Sequence, residues 1–282
     1  GLPSPELEPY PAKPSDIDEN PEARKSYSKE KNRVRSRNNV NKSKRLAVAQ
    51  LLRIAKAHLN QPVWQPACLD FRGRMYTTPA GLHTQGSDKA RALLKFANGL
   101  PIRTATEDAT TTFLAYGATL YGMKGTDQEK AQWVQLHKDE LVHMAINPVD
   151  NLMWCEAKNP WQFLAWALEV DQFWHNPKDF RSHLPVAIDA SSSGCQIWAL
   201  LLRDEQTARA TNVYPNEEPA DLYAAVADRV LEGWRESDYS LARAWTQSGL
   251  VTRALTKPAV MIIPFSGTRQ GIATALHEKL QS

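Results

Sequence analysis

The stretch LPVAIDASSSGCQ, residues 184–196, puts a carboxylate, Asp189, after an alternating apolar run of Leu184, Val186 and Ile188 and before three serines and a glycine. That alternation has the period of a strand, so Asp189 is expected where a buried strand emerges into a turn. A carboxylate at such a place can ligate a metal, act as a nucleophile among small residues, or cap the turn by bonding its own backbone. A second stretch, GLVTRALTKPAVMIIPFSGTRQG at residues 249–271, sets Arg253 and Lys257 four apart. On a helix both cations would leave one face of an otherwise apolar segment. The pair suits a polyphosphate, and equally an ordinary charged surface. Pro258 removes a helical hydrogen bond just after Lys257, so the helix kinks or restarts there. The third stretch is DFRGRMY, residues 70–76. Two arginines around a glycine and flanked by aromatics make an anion-binding turn, with guanidinium forks for phosphates and rings for stacking. The alternative there is an arginine buried against Asp70 to brace the turn.

The elements that must hold these residues differ in composition along the chain. Residues 1–21 contain six of the eighteen prolines and are expected to be extended on a surface. Residues 22–62 form a basic, helix-compatible segment in which ten Lys or Arg between Arg24 and Arg45 face one acid, Glu30. That density of charge suits a polyanion, with a solvated helix face as the other reading. An apolar stripe of Leu46, Ala49, Leu52 and Ile54 is expected to dock the second half of this helix. A strand-and-turn region follows over residues 63–86, then a mainly helical region over residues 87–180. One helix there starts at Ser87 and stops near Gly99. Trp154, Trp161, Trp166 and Trp174 sit in apolar helical patterns and read as core. After a break at residues 216–219, DLYAAVADRVLEGW lines up Leu222, Val226, Val230 and Trp234 on one helical face.

Bulk properties exclude several classes. The chain of 282 residues, 42% hydrophobic and with a net charge of only +3, has enough apolar content for a sizeable core. Cys68, Cys155 and Cys195 make no C-x-x-C pair, so neither a zinc site nor a disulfide framework is indicated, and a reducing compartment fits. No stretch has the length of a membrane span or the apolar core of a signal peptide, so a soluble intracellular protein is expected. A serine hydrolase is disfavoured, because the serines lack the G-x-S-x-G arrangement.

In this order the three chemical stretches, with QGSDKARALLKFANGLPI, LLRDEQTARATNVYP and the lead-in PSDIDENPEA, resemble the single-subunit DNA-directed RNA polymerases of bacteriophages and mitochondria. The resemblance covers nearly the whole chain and leans to the phage side. It implies a mixed α/β, predominantly helical fold: a partial right-hand polymerase with an incomplete palm sheet. Residues 63–215 would then be partial palm with a helical region, and residues 216–282 the start of the fingers. Implied roles follow residue by residue. Asp189, with the backbone carbonyl of Ala190, would hold one of two Mg2+ ions that serve nucleotidyl transfer. Arg253 and Lys257 would bind the triphosphate, Lys257 also acting catalytically as proton donor, with Met261 and Phe265 beside the nucleotide. Phe71, Arg72, Arg74 and Tyr76 would contact the template or hybrid. Implied partners are a DNA template, an RNA product and nucleoside triphosphates, with neither membrane nor protein partner; the basic segment would bind phosphates in a salt-sensitive way. A phage-encoded enzyme would work in the bacterial cytoplasm, a mitochondrial one in the matrix.

Two departures qualify the resemblance. Where the family usually has Tyr-Gly, this chain has Phe265-Ser266, with a glycine next at Gly267, which leaves sugar selection open; Met261 follows the RNA polymerase pattern. The second metal-binding aspartate of the family lies in a His-Asp motif, and no His-Asp pair occurs here, so the 282-residue chain is expected to be inactive alone. A family A type DNA polymerase fragment and a non-catalytic nucleic-acid-binding module on the same scaffold are the competing readings.

Overall fold

The computed structural model describes residues 6–71, 73–102, 107–216 and 219–281, the side chains of 107 and 108 excepted, and its contacts divide into two compact units, Gly1–Val186 and Ala187–Ser282. Both are mostly helical. In the first unit the order is α1 (Pro21–Ala57), β1 (Ala67–Leu69), β2 (Met75–Thr77), α2 (Asp88–Ala92), β3 (Leu100–Pro101), α3 (Glu107–Tyr121), α4 (Asp127–Leu136), α5 (Lys138–Ile146), a 3-10 turn (Met153–Glu156), α6 (Pro160–His175) and β4 (Arg181–Ser182). The second holds α7 (Ser193–Leu202), α8 (Glu205–Ala210), α9 (Leu222–Arg235), α10 (Ser240–Ser248), α11 (Arg253–Ile262), a 3-10 turn (Ile263–Phe265) and α12 (Arg269–Gln281). Among the described residues the sheet content is two antiparallel ribbons, β1 with β2 and β3 with β4.

The core of the first unit is built on α3 and α6. Trp166 is 0% exposed, its indole N–H donates to the Phe113 carbonyl at 2.9 Å, and its ring stacks on Phe163 at 5.6 Å between centroids. Gly117 lets the ring come this close: a Cβ there would stand 2.2 Å from it. Trp154 and Trp174 pack at the edge of the same core, and Trp161 lies 4.8 Å from Trp154, as the apolar patterns predict. Glu169, 2% exposed on α6, accepts from the Ser182 hydroxyl at 2.8 Å and the His183 N–H at 3.2 Å and pairs with Lys95 at 2.9 Å. A buried carboxylate is tolerable only with such partners.

Helix α1 forms where the basic segment predicts it. Asn20 caps it, accepting from the N–H groups of Glu22 and Ala23 at 3.0 and 3.2 Å, with Pro21 in the first turn. Its covered seam is not the predicted stripe. Val34, Asn38 and Leu51 are buried, while Leu46 and Leu52 are exposed. The lead-in decides this: Glu8 and Asn38 exchange two hydrogen bonds of 2.9 Å, backbone to side-chain amide, and the Glu8 carboxylate grips the Arg37 guanidinium at 2.6 and 2.7 Å. At Asn38 a polar clamp, not apolar content, covers the helix.

Two further expectations are corrected. The helix from Ser87 is capped by Ser87 as predicted but ends at Ala92, because residues beyond it join a ribbon: the Phe96 N–H donates to the His183 carbonyl at 2.8 Å and β3 pairs with β4. The strand expected over residues 184–188 is absent. Ile188 is 92% exposed, and no strand among the described residues pairs with this run. Alternation gives extended backbone, but a strand requires a hydrogen-bonded neighbour.

Candidate functional site

In the second unit the Asp189 turn is held by short-range bonds. Asp189 Oδ1 accepts the Ala190 N–H at 2.9 Å, and the Ala190 carbonyl accepts the Ser192 N–H at 3.1 Å. Ser192 turns the chain through the left-handed region at φ 60°, and α7 begins at the next residue. Gly194 then packs on the turn after α11: a Cβ on it would lie 2.4 Å from the Pro264 Cβ. The small residues of the SSSG run therefore bring the Asp189 turn and the Phe265 turn together. Behind the serines, the Asn212 side-chain amide donates to Ser191 Oγ at 3.2 Å and to the Ala220 carbonyl at 2.8 Å, and accepts the Ala220 N–H at 2.7 Å.

That last bond leads directly to the cation pair. Asp221, the next residue, caps α9: its Oδ1 accepts the N–H groups of Tyr223 and Ala224 at 3.0 and 3.3 Å. Its Oδ2 receives the Nε–H of Arg253 on α11. Burial alone would push the Asp221 carboxyl up, but the Arg253 bond and charge and the two N–H groups outweigh it and hold the group below its ordinary value. The Tyr223 ring lies 5.6 Å from Arg253 Cζ and 5.5 Å from Lys257 Nζ, within cation–π range of both. Thr256 Oγ1 donates to the Tyr223 carbonyl at 2.7 Å, locking α11 against α9. Arg253 and Lys257 thus lie on one side of a single helix, as their spacing predicts. The helix runs through Pro258 without restarting, with Leu255, Thr256, Ala259 and Val260 buried.

Met261 and Phe265 continue the exposed side of α11 into the 3-10 turn. Ser266 adopts φ 62°, a conformation that glycine takes at least cost, and this is where the resemblance places the family's glycine. Gly267 in its turn has no room for a side chain, since a Cβ would stand 2.8 Å from the Ile262 carbonyl oxygen.

The DFRGRMY turn lies in the first unit. It links β1 and β2 with Leu69 opposite Met75; the Asp70 carboxylate accepts the Arg74 N–H at 3.0 Å, and Gly73 supplies the positive φ of 75° that closes the turn. Phe71 is 97% exposed, and Arg74 and Tyr76 are exposed too, so Arg74 is not an arginine buried as a brace. Arg72 lies outside the described residues. In the same unit an open groove runs beside α1, lined by Arg37, Asn41, Lys44 and Lys89.

Sequence reasoning found Asp189, Arg253 and Lys257 but not Asn212, Asp221 or Tyr223. Asp221 carried one signal, an acid just ahead of an amphipathic helix. Chemically, the second unit offers an exposed carboxylate and carbonyl in one turn and two cations over a tyrosine. Among the described residues no three His, Cys, Asp or Glu gather to hold a metal ion. Asp189 Oδ2, left over from the turn bond, and the Ala190 carbonyl are an oxygen-only partial set, which fits Mg2+ with its retained waters and substrate ligands. No described helix is long and apolar enough to cross a membrane.

The family model described as DNA-dependent RNA polymerase matches residues 105–282. The DNA-directed RNA polymerase of Enterobacteria phage T3 is 30% identical over 96% of this chain and 33% of its own length. T7 RNA polymerase of Escherichia phage T7 is 32% identical over 82% of this chain and 26% of its own length. The mitochondrial DNA-directed RNA polymerase of Mus musculus is 34% identical over 84% of this chain and 19% of its own length. The chain thus spans a third or less of these curated relatives, and phage and mitochondrial relatives match it at similar identity.

Proposed function

The chain belongs to the DNA-dependent RNA polymerase family, and from that premise we propose that it is the part of a template-directed nucleotidyltransferase that supplies one metal-binding carboxylate and the triphosphate cations. Residues 63–215 are read as partial palm with a helical region and residues 216–282 as the start of the fingers, behind an extended lead-in (1–21) and a basic, nucleic-acid-facing helical segment (22–62). The observation that carries this reading is the cluster on α11: Arg253 and Lys257 on one side of the helix, both over the Tyr223 ring, in the unit that also holds the Asp189 turn.

The reaction is attack of a primer 3′-hydroxyl oxygen on the α-phosphorus of a nucleoside triphosphate. The new P–O bond forms as the bond to the β-phosphate bridging oxygen breaks, and the hydroxyl proton passes to solvent water. Asp189 and the Ala190 carbonyl would hold Mg2+, which when bound activates the hydroxyl and stabilises charge on the departing pyrophosphate. Arg253 places the triphosphate by its forked donors, while the Lys257 ammonium meets charge developing on pyrophosphate and can protonate it. Met261 and Phe265 stand beside the nucleotide, and Phe71, Arg72, Arg74 and Tyr76 bind the template or hybrid, with α1 adding phosphate contacts.

The test uses the full-length protein on a primed DNA template with ribo- and deoxynucleotides in parallel. Extension with ribonucleotides is expected, and Lys257→Ala is expected to lower kcat by about a hundredfold. Preference for deoxynucleotides would instead support the family A DNA polymerase reading. A full-length protein with no extension on either set would indicate a binding module.

A further inference from the structure

Asp221 has a duty that helix capping does not require. Asn or Ser would serve equally at that position. The carboxylate divides its two oxygens: Oδ1 takes the N–H groups of Tyr223 and Ala224, and Oδ2 takes Arg253, 32 residues away on α11. The contact on Arg253 is through Nε, and its terminal nitrogens make no hydrogen bond among the described residues. Tyr223, fixed by the same cap and by Thr256, covers the guanidinium at 5.6 Å. An arginine on a free stem must lose rotamer entropy when it grips a phosphate; one already held by Nε against a ring has lost most of it.

We propose that Asp221 is a positioning residue for triphosphate recognition, holding Arg253 by its Nε so that the terminal nitrogens stay available to the phosphates of the incoming nucleotide. This rests on the reading of Arg253 as a triphosphate ligand. The carboxylate's depressed pKa, the work of Arg253 and the two N–H groups against burial, keeps it ionised for this role. The Asn212 side chain, bonded to Ala220 on one side and Ser191 on the other, fixes the stretch from which Asp221 projects.

A double-mutant cycle in the full-length polymerase tests the proposal, with nucleotide KM and kcat as readouts. Asp221→Asn keeps a capping side chain and loses the charge; it is expected to raise KM about fivefold with kcat within about twofold of the parent. Asp221→Ser, a second capping variant, is expected to do the same. Arg253→Ala is expected to raise KM further, and adding Asp221→Asn to it should change nothing more. If Asp221→Asn multiplies KM equally with and without Arg253, the residue acts only on the fold and the proposal is overturned. If Arg253→Ala itself leaves KM unchanged, the triphosphate reading of Arg253 falls first, a distinct outcome.

Discussion

Full-length protein carrying Asp189→Asn is expected to lose nucleotide addition by about a thousandfold or more while binding its template with unchanged affinity. Asparagine keeps an oxygen for the Ala190 N–H, so the turn bond at 2.9 Å and the entry into α7 survive the exchange. What is lost is the negative charge on an exposed oxygen that no other described group occupies. The α11 cations and the Tyr223 ring belong to different elements of the unit and are untouched. Single-turnover extension of a labelled primer, with anisotropy of a labelled template measured alongside, separates the two effects. Extension within tenfold of the parent would remove Asp189 from the metal site. Weakened template binding in parallel with activity would make it a structural residue of the turn.

Trp166→Ala is expected to destabilise the first unit by about 3–5 kcal/mol, the range for emptying a buried aromatic position. The ring is 0% exposed and touches three residues of the packing: Phe113 and Gly117 on α3, and Phe163 one turn earlier on α6. Alanine would also strip the Phe113 carbonyl of the indole N–H at 2.9 Å. Collapse around the cavity is resisted because α3 and α6 are also held by Phe113 against Phe173 and Phe180, at 5.7 Å each. Urea unfolding followed by far-ultraviolet circular dichroism measures the loss, and a midpoint unchanged from the parent would mean that the site is not packed as described. Trp166→Phe, which retains a ring, should lose less.

How much of this was legible in the sequence follows from the range of each interaction. The helical carriers were visible because their signals are local: Ser87 as a helix start, the period of α9, the spacing of Arg253 and Lys257. Asp189 was located by its flanking residues, and the ordered motifs identified the family. The strand ahead of it failed because pairing depends on a second segment, which local alternation does not specify. The seam of α1 failed because Glu8 contacts Asn38 and Arg37 from about thirty residues away, and a polar clamp leaves no mark on hydrophobic periodicity. Helix α2 was overextended because residue 96 has a partner at His183, far along the chain. Asp221 was missed because its second oxygen acquires meaning only when α11 folds back on α9.

The acid clamp on α1 also changes what its charge can do. Arg24 lies near Asp18, Arg33 near Glu30, and Arg37 between Glu8 and Glu30, at 4.0, 3.5, 2.6 and 3.5 Å. Of the ten cations between Arg24 and Arg45, at least three therefore already have a carboxylate as counterion, leaving at most seven that could displace condensed cations from phosphates. Each such exchange contributes roughly 0.7–0.9 to the slope of log affinity against log salt. The helix is thus a graded polyelectrolyte whose internal acids would set a ceiling on the ion release available to any binding of a nucleic acid.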